Sequence, residues 1–259
     1  MANKTPRELY KAYAAATAYV AVTDSAGIQH IGSAFHVGGG IFLTARHVVE
    51  SNNINEIATT MGRYVLDPNG AVTFHDDPEK YRYIPPAKGK LIRGPLVHPD
   101  PKIDVAALVV EGIDAAVIPL GSHLDDWMGG DEFVLNDVLV LGYPPVPTST
   151  TPTLVATRAE VNAMIDKYTS KHPHFIVSAP ARGGFSGGPC LVEFDFALGL
   201  VTESLVHNAQ PSELGFMSVI TVEPLLVCLQ HHGIVPEEQY VGLESFLGVA
   251  GTEEFNPNL

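Results

Sequence analysis

The sequence predicts an all-β fold made of many short strands, because strand-like segments recur along its whole length and turn-forming residues separate them. The 259 residues include 24 glycines and 20 prolines, a share above that of average proteins. In the first half, strands are predicted near residues 17–23, 28–37, 41–44, 62–66, 71–74, 90–97 and 104–110. In the second half, they are predicted near residues 132–142, 152–161, 174–179, 189–194, 197–203 and 215–221. This spacing is typical of β-barrels and β-sandwiches and argues against alternating strands and helices.

Two helices are predicted, one near each end of the folded region. The first covers residues 5–16, where Thr5 is a suitable N-cap, Pro6 occupies the first helical position and Glu8 stands three residues after the cap. The second covers residues 222–232. A chain of this length can bury a substantial core, as one large domain or as two smaller ones.

The most informative stretch of the chain is residues 182–189, Arg-Gly-Gly-Phe-Ser-Gly-Gly-Pro. Glycine loses more conformational freedom on folding than any other residue, so four glycines around one serine indicate backbone torsion angles that only glycine tolerates. A tight turn of this kind would present the Oγ atom of Ser186 and point nearby N–H groups at one place. Acyl-transfer sites need such a nucleophile and such an oxyanion hole. The alternative is an ordinary glycine-rich loop in which the serine is incidental.

The same peptide also fits the G-x-S-x-G nucleophile elbow of α/β-hydrolases, in which the acid and the histidine follow the serine. The chain after Ser186 does contain Asp195, His207, His231 and His232. It lacks, however, the alternation of strands with long helices that this fold requires. The partners of Ser186 are therefore sought upstream.

Two upstream residues complete a catalytic set. His47 lies just after a short apolar strand, and Asp104 stands at the head of a strongly apolar one. A carboxylate that leads into a buried strand is costly unless it has a partner. His47, Asp104 and Ser186 therefore occur in the order histidine, aspartate, serine. Asp100 and Asp114 are weaker candidates for the acid, because neither begins an apolar strand.

These motifs resemble those of the chymotrypsin-like (trypsin-like) serine peptidases, in particular the bacterial members without the disulfides of the secreted enzymes. The resemblance covers residues 18–230 and rests on Leu43-Thr44-Ala45-Arg46-His47-Val48-Val49, Ile103-Asp104-Val105-Ala106 and Gly184-Phe185-Ser186-Gly187-Gly188-Pro189. It implies two six-stranded antiparallel β-barrels (chymotrypsin-like), with an N-terminal and a C-terminal helix. The divisions would be an N-terminal helical extension at 1–16, a first barrel at 17–115, a connector at 116–130, a second barrel with the C-terminal helix at 131–232, and a tail at 233–259.

The resemblance also implies a serine endopeptidase that hydrolyses peptide bonds through a covalent acyl-enzyme. His47 would act as the general base, Asp104 would orient it, and Ser186 would be the nucleophile. The N–H groups of Gly184 and Ser186 would form the oxyanion hole. Thr202 resembles the hydroxyl residue that supports the acid from behind. Two alternatives stay open: a catalytically silent peptide-binding or regulatory module on the same fold, and an esterase that uses the same residues.

The resemblance places a substrate pocket among six residues of the second half, namely Pro180, Ala181, Thr202, Glu203, Ser204 and Gly215. Pro180, Ala181 and Gly215 carry no carboxylate, so small or medium apolar side chains are expected at the cleavage position. Glu203 would favour basic side chains if it faced the pocket. Alternate residues of a strand face opposite ways, and the sequence leaves this register open.

Phe185 departs from the pattern of the secreted relatives, which have an aspartate here that pairs with a newly exposed N-terminus. Phenylalanine cannot form that ion pair, so activation by N-terminal cleavage is not expected. The site would then be permanently formed, or ordered by its substrate or by a protein partner that regulates it.

Composition narrows the range of partners. The formal net charge of −14 opposes binding to nucleic acid or to an anionic membrane. A protein or peptide substrate is the partner that the family resemblance implies. No cofactor and no metal are expected, because His172, His174, His231 and His232 have no cysteine or acid at ligand spacing. The chain has two cysteines, fewer than the disulfides of secreted relatives need. A cytoplasmic protein is therefore expected, with a secreted or periplasmic one as the alternative.

Overall fold

Two closed antiparallel β-barrels of six strands each form most of the regular structure. The computed structural model describes residues 3–66, 81–121, 133–166, 172–180, 183–204, 206–207, 210–211 and 215–240. Within this part, the predicted all-β fold with two six-stranded barrels is confirmed. The larger share of the predicted connector, residues 122–130, and residues 241–259 of the predicted tail lie outside the described residues.

The described strands of the first half are β1 (Thr17–Thr23), β2 (Gln29–His36), β3 (Ile41–Thr44), β4 (Asn53–Thr59), β5 (Arg63–Leu66), β6 (Tyr81–Ile84), β7 (Lys88–Val97) and β8 (Ala106–Glu111). Six of them close the first barrel in the order β1-β2-β3-β8-β7-β4. Among the described residues, strands β5 and β6 pair with each other and form a separate two-stranded sheet.

The sequence prediction for this barrel was wrong in one strand. Strand β4 was not predicted, because Asn53, Asn55 and Glu56 have low β-propensity and weaken its strand pattern. It pairs with β1 along nearly its whole length, so tertiary pairing overrides the local preference. The predicted strand 62–66 is present as β5, although outside the barrel, and the predicted strand 71–74 lies outside the described residues.

The described strands of the second half are β9 (Asp137–Gly142), β10 (Val155–Asp166), β11 (Pro173–Val177), β12 (Pro189–Val192), β13 (Phe196–Ser204), β14 (Val206–His207), β15 (Gln210–Pro211) and β16 (Met217–Ile220). Six of them close the second barrel in the order β10-β11-β16-β13-β12-β9. All six barrel strands agree with predicted segments, although β9 begins later than predicted because residues 133–135 form a turn.

Helix α1 (Pro6–Tyr13) joins the two barrels at the start of the chain. Thr5 and Glu8 form the predicted capping box, and Pro6 occupies the first turn. The helix leads into β1 of the first barrel, yet Tyr13 Oη donates to Asp195 Oδ1 at 2.7 Å, in the turn between β12 and β13. Lys4 Nζ lies 2.6 Å from Asp195 Oδ2. The N-terminal segment is therefore fastened to the second barrel.

Two further helices complete the described regular α-structure. Helix α2 (Arg46–Val49) is a single turn after β3, and α3 (Glu223–His231) follows β16. Beyond the end of α3, His232 Nε2 lies 2.8 Å from the carbonyl oxygen of Val97 on β7, so the last helix also contacts the first barrel. No helix in the described ranges is long and apolar enough to cross a membrane.

A connected apolar core runs through both barrels. In the first barrel it includes Phe35 and Phe42, and in the second it includes Phe133 and Phe175, whose ring centroids are 5.7 Å apart. Strands supply most of these side chains, and Phe133 comes from the turn before β9. The continuous packing supports the segments that carry the predicted catalytic residues: His47 in helix α2, Asp104 before β8 and Ser186 in the turn before β12.

Candidate active site

His47 lies on the outer side of helix α2. The adjacent Val48 and Val49 are buried in the core, and this leaves the side chain of His47 52% exposed. Arg46 fixes the helix from its other side, because its guanidinium donates to both carboxylate oxygens of Glu50, at 2.6 and 2.7 Å. The short helix is thus anchored by its apolar side and by an ion pair, and it presents the imidazole to solvent.

Asp104 holds His47 at two points. Oδ1 accepts the main-chain N–H of His47 at 2.9 Å, and Oδ2 lies 2.7 Å from Nδ1 of the imidazole. The flanking Ile103 and Val105 are buried, which fixes the position of the carboxylate before β8 begins. Because Nδ1 faces a carboxylate, its proton is best placed there, and Nε2 is left as the atom that can accept a proton.

The other acidic candidates have different partners. Asp100 Oδ1 accepts the main-chain N–H of Lys102 at 2.8 Å. Asp114 Oδ1 lies 2.5 Å from Nη2 of Arg63. Of the three carboxylates proposed from the sequence, Asp104 is the one that the fold brings to His47.

The serine turn has the strained backbone that its glycines indicated. Gly184 and Gly187 have φ angles of 93° and 88°, in the left-handed region that disfavours other residues. A Cβ atom on Gly184 would clash with the carbonyl of Tyr143, and one on Gly187 would clash with the carbonyl of Ser33. Both glycines are therefore required by conformation and by space.

Phe185 anchors this turn from inside. Its side chain is 2% exposed and belongs to the apolar core. A phenylalanine that packs in this way needs no charged partner, in contrast to the aspartate of the secreted relatives.

Several main-chain N–H groups of the serine turn make no hydrogen bond within the described part of the chain. Among the hydrogen bonds of the described residues, none uses the N–H of Gly184 or of Ser186 as a donor. The N–H of Phe185 likewise donates in none of them, whereas Gly187 donates to the carbonyl oxygen of Val201 at 2.7 Å and Gly188 donates to that of Phe185 at 2.8 Å. Unoccupied N–H groups beside a serine can receive a negatively charged oxygen.

Ser33, on β2, was missed by the sequence analysis. It is completely buried, and its N–H donates to the carbonyl oxygen of Ser186 at 2.8 Å. Its Oγ donates to the carbonyl oxygen of Gly184 at 2.6 Å and accepts the N–H of Tyr143 at 2.9 Å. The only sequence signal was a polar residue within an otherwise buried strand segment.

The turn that carries Ser186 lies against the segment that leads to His47. Thr44 Oγ1 donates to the Ser33 carbonyl at 2.7 Å, and a Cβ atom on Gly187 would lie 3.0 Å from the main-chain N of Ala45. The fold thereby brings the serine turn of the second barrel to Ala45, which follows β3 and stands two residues before His47. Within the described residues, Ser186 and His47 make no direct hydrogen bond, and such bonds are often long in enzymes without substrate.

The predicted pocket residues are only partly defined. Pro180 is exposed and Gly215 is half-buried, whereas Ala181 and the side chains of Glu203 and Ser204 lie outside the described part of the chain. Thr202 is 2% exposed, and its Oγ1 donates to the carbonyl oxygen of Ser218 at 3.3 Å. The expected support of the acid by Thr202 is thus not seen.

Cysteine is no competing nucleophile in the described structure. Cys190 and Cys228 are free and buried. Burial raises the pKa of each thiol to about 12, and a thiol that stays protonated is a poor nucleophile. The described residues contain no group of three or more histidine, cysteine or acidic side chains arranged to hold a metal ion.

Comparison with known proteins agrees with this architecture. The model of the trypsin-like peptidase domain matches residues 32–198, more than half of the chain. A search among curated protein sequences found no match. Several solved structures share the fold at low identity.

One similar structure is the Rv3671c protease from M. tuberculosis in its active form, with 18% identity and a TM-score of 0.58 over 89% of this chain and 87% of that chain. Another is the HtrA-type protease AlgW with a tripeptide, with 18% identity and a TM-score of 0.57 over 89% of this chain and 64% of that chain. A third is the serine endoprotease from Yersinia pestis, with 18% identity and a TM-score of 0.54 over 90% and 68% of the two chains. Together, the matching family model and the double barrel identify the chain as a member of the trypsin-like peptidase family and as a serine peptidase.

Proposed function

We propose that the protein is an endopeptidase in which His47, Asp104 and Ser186 form a catalytic triad and the reaction passes through an acyl-enzyme. The observation that supports this proposal most strongly is the pair of contacts between Asp104 and His47. The carboxylate lies 2.9 Å from the main-chain N of His47 and 2.7 Å from its Nδ1. This arrangement directs Nδ1 toward the carboxylate and leaves Nε2 available. An exposed imidazole in this orientation is suited to proton transfer at the surface where the barrels meet.

Acylation begins when Ser186 Oγ attacks the carbonyl carbon of the substrate while its proton moves to Nε2 of His47. The carbonyl oxygen becomes negatively charged and is received by the N–H groups of Gly184 and Ser186. The C–N bond then breaks, and the amine leaves with the proton from Nε2. A water molecule repeats these steps on the acyl-enzyme, which releases the acid and restores Ser186.

The test is chemical labelling with a fluorophosphonate together with hydrolysis of a peptide library. Wild type should label on Ser186 and cleave peptides, whereas Ser186→Ala should do neither. The matched control is Ser25→Ala, which removes an exposed serine in the turn between β1 and β2 and should label like wild type. Absence of labelling in the wild-type protein would favour a silent binding module, and cleavage of esters without cleavage of peptides would favour an esterase.

The cleavage preference is proposed to be for small or medium apolar side chains. Support comes from Pro180 and Gly215, which offer no charged group to the pocket that the family resemblance places there. The cleavage profile of the peptide library measures this preference directly. Preferred cleavage after arginine or lysine would contradict it and would point to a carboxylate such as that of Glu203.

A further inference from the structure

Ser33 belongs to the first barrel, yet its hydrogen bonds go to the serine turn of the second. Its N–H binds the carbonyl of Ser186 at 2.8 Å, and its Oγ binds the carbonyl of Gly184 at 2.6 Å. Neither residue donates its own N–H in the hydrogen bonds of the described structure, and the same holds for the N–H of Phe185 between them. The carbonyl of Gly184 shares its peptide plane with the N–H of Phe185, and the carbonyl of Ser186 shares its plane with the N–H of Gly187. Ser33 therefore holds the peptide groups that directly follow the two candidate oxyanion donors.

The hydrogen bonds of Ser33 fix the peptide planes around Ser186. The plane between Ser186 and Gly187 is held at its carbonyl by Ser33 and at its N–H by Val201. The peptide plane between Gly184 and Phe185 is held at the Gly184 carbonyl chiefly by the hydroxyl of Ser33. The N–H of Tyr143 makes a longer contact of 3.3 Å with the same carbonyl oxygen. Without the hydroxyl, this second plane would keep only the longer contact and could rotate.

The direction of the Ser33 hydroxyl is itself determined. Its oxygen accepts the N–H of Tyr143 at 2.9 Å, so its proton is free for the Gly184 carbonyl. The carbonyl of Ser33 accepts the hydroxyl of Thr44 at 2.7 Å, close to the segment that carries His47. Ser33 thus ties the serine turn of one barrel to the histidine segment of the other.

We propose that the hydroxyl of Ser33 is a positioning group that orients the oxyanion hole, by fixing the peptide group between Gly184 and Phe185, which links the N–H of Gly184 to the N–H of Ser186. This inference rests on the proposed function, since an oxyanion hole has a purpose only in acyl transfer. The hydroxyl touches no reacting atom. It acts through the backbone of the turn, and its removal should lower turnover more than substrate binding.

The test compares two variants of Ser33 with a control. Ser33→Ala removes the hydroxyl, and Ser33→Cys fills similar space with a group that is a weak hydrogen-bond donor. The control is Thr59→Val, because Thr59 is also buried and its Oγ1 accepts a main-chain N–H, from Ala87 at 3.0 Å, away from the serine turn. For each protein, kcat and KM are measured on a peptide substrate, and hydrogen exchange is measured at Gly187 and Gly188.

Both Ser33 variants should lower kcat by about 10- to 100-fold, somewhat less than the loss of a complete oxyanion donor, while KM stays within about threefold. Exchange at Gly187 and Gly188 should become about tenfold faster, because their hydrogen bonds belong to the loosened turn. Thr59→Val should keep the kcat and the exchange rates of wild type at these positions, even though its melting temperature falls.

Two results would overturn the inference. One is wild-type kcat in Ser33→Cys, which would show that only the volume of the side chain matters. The other is unchanged exchange at Gly187 and Gly188 in Ser33→Ala. If wild type itself neither labels nor cleaves, the proposed function fails, but the exchange rates still decide whether Ser33 holds the turn.

Discussion

Replacement of Asp104 by asparagine should switch the His47 imidazole to the wrong tautomer. His47 presents two donors to this carboxylate, its main-chain N–H at 2.9 Å and Nδ1 at 2.7 Å. An asparagine has only one oxygen to accept them. If that oxygen receives the main-chain N–H, the amide nitrogen faces Nδ1, which must then give up its proton. The proton moves to Nε2, the atom that should accept the proton of Ser186.

The expected cost is large and falls on turnover. A histidine in the wrong tautomer, with the geometry otherwise intact, loses about 10⁴-fold in kcat. At about 1.4 kcal/mol for each factor of ten, this corresponds to about 5.5 kcal/mol of transition-state stabilisation. KM should change little, because Asp104 lies behind the imidazole and does not face the substrate. The substitution preserves shape, so the protein should remain folded.

The assay is kcat on a peptide substrate at saturation for wild type, Asp104→Asn and two matched controls. Asp100→Asn and Asp114→Asn make the same chemical change at acids whose partners are Lys102 and Arg63. Both should stay within about threefold of wild type, since surface interactions of this kind contribute little. A kcat for Asp104→Asn within tenfold of wild type, or an equal loss in Asp100→Asn, would refute the assigned role.

Three other predictions concern the serine turn, the histidines and the N-terminal helix. Gly187→Ala should abolish fluorophosphonate labelling, because its Cβ would clash with the Ser33 carbonyl at a positive φ; labelling at the wild-type rate would contradict this. Burial lowers the pKa of His98 to about 4, so between pH 6.5 and pH 4 the unfolded chain binds a proton that the folded protein does not, and stability falls as the pH falls. The unfolding free energy of wild type, measured by urea denaturation, should therefore be lower at pH 4.5 than at pH 7, and this difference should be about 2 kcal/mol smaller in His98→Gln. An unchanged difference would exclude His98 as the cause. Removal of residues 3–16 should lower the melting temperature by several degrees and should not raise kcat, because the buried Tyr13 and its neighbours fasten this segment to the second barrel; a large gain in activity would indicate activation by cleavage.

The features that were predicted correctly from the sequence arise from short local motifs. The capping box at Thr5 and Glu8 is a local feature, and the structure contains it. The glycines around Ser186 indicated positive φ angles, and Gly184 and Gly187 have them. In each case the cause lies within a few residues, so a single sequence is sufficient to read it.

Long-range pairing explains what the sequence did not predict. Strand β4 contains polar residues of low strand propensity and exists because it pairs with β1 and β7. Ser33 and Gly184 are separated by 151 positions, and no local pattern indicates that their atoms meet. The pairing of β13 with β16 shifts its register between Val201 and Glu203, so simple alternation along the strand could not settle the register that the sequence left open at Glu203.

The most direct test of the account is to trap the acyl-enzyme. Wild-type protein is mixed with an excess of an activated ester, quenched with acid within the first turnover, and digested for mass spectrometry. The account predicts one acyl group on the peptide that contains Ser186, with a strong decrease in Asp104→Asn and none in Ser186→Ala. An acyl group on another residue, or steady hydrolysis with no acylated peptide in any quenched sample, would contradict it.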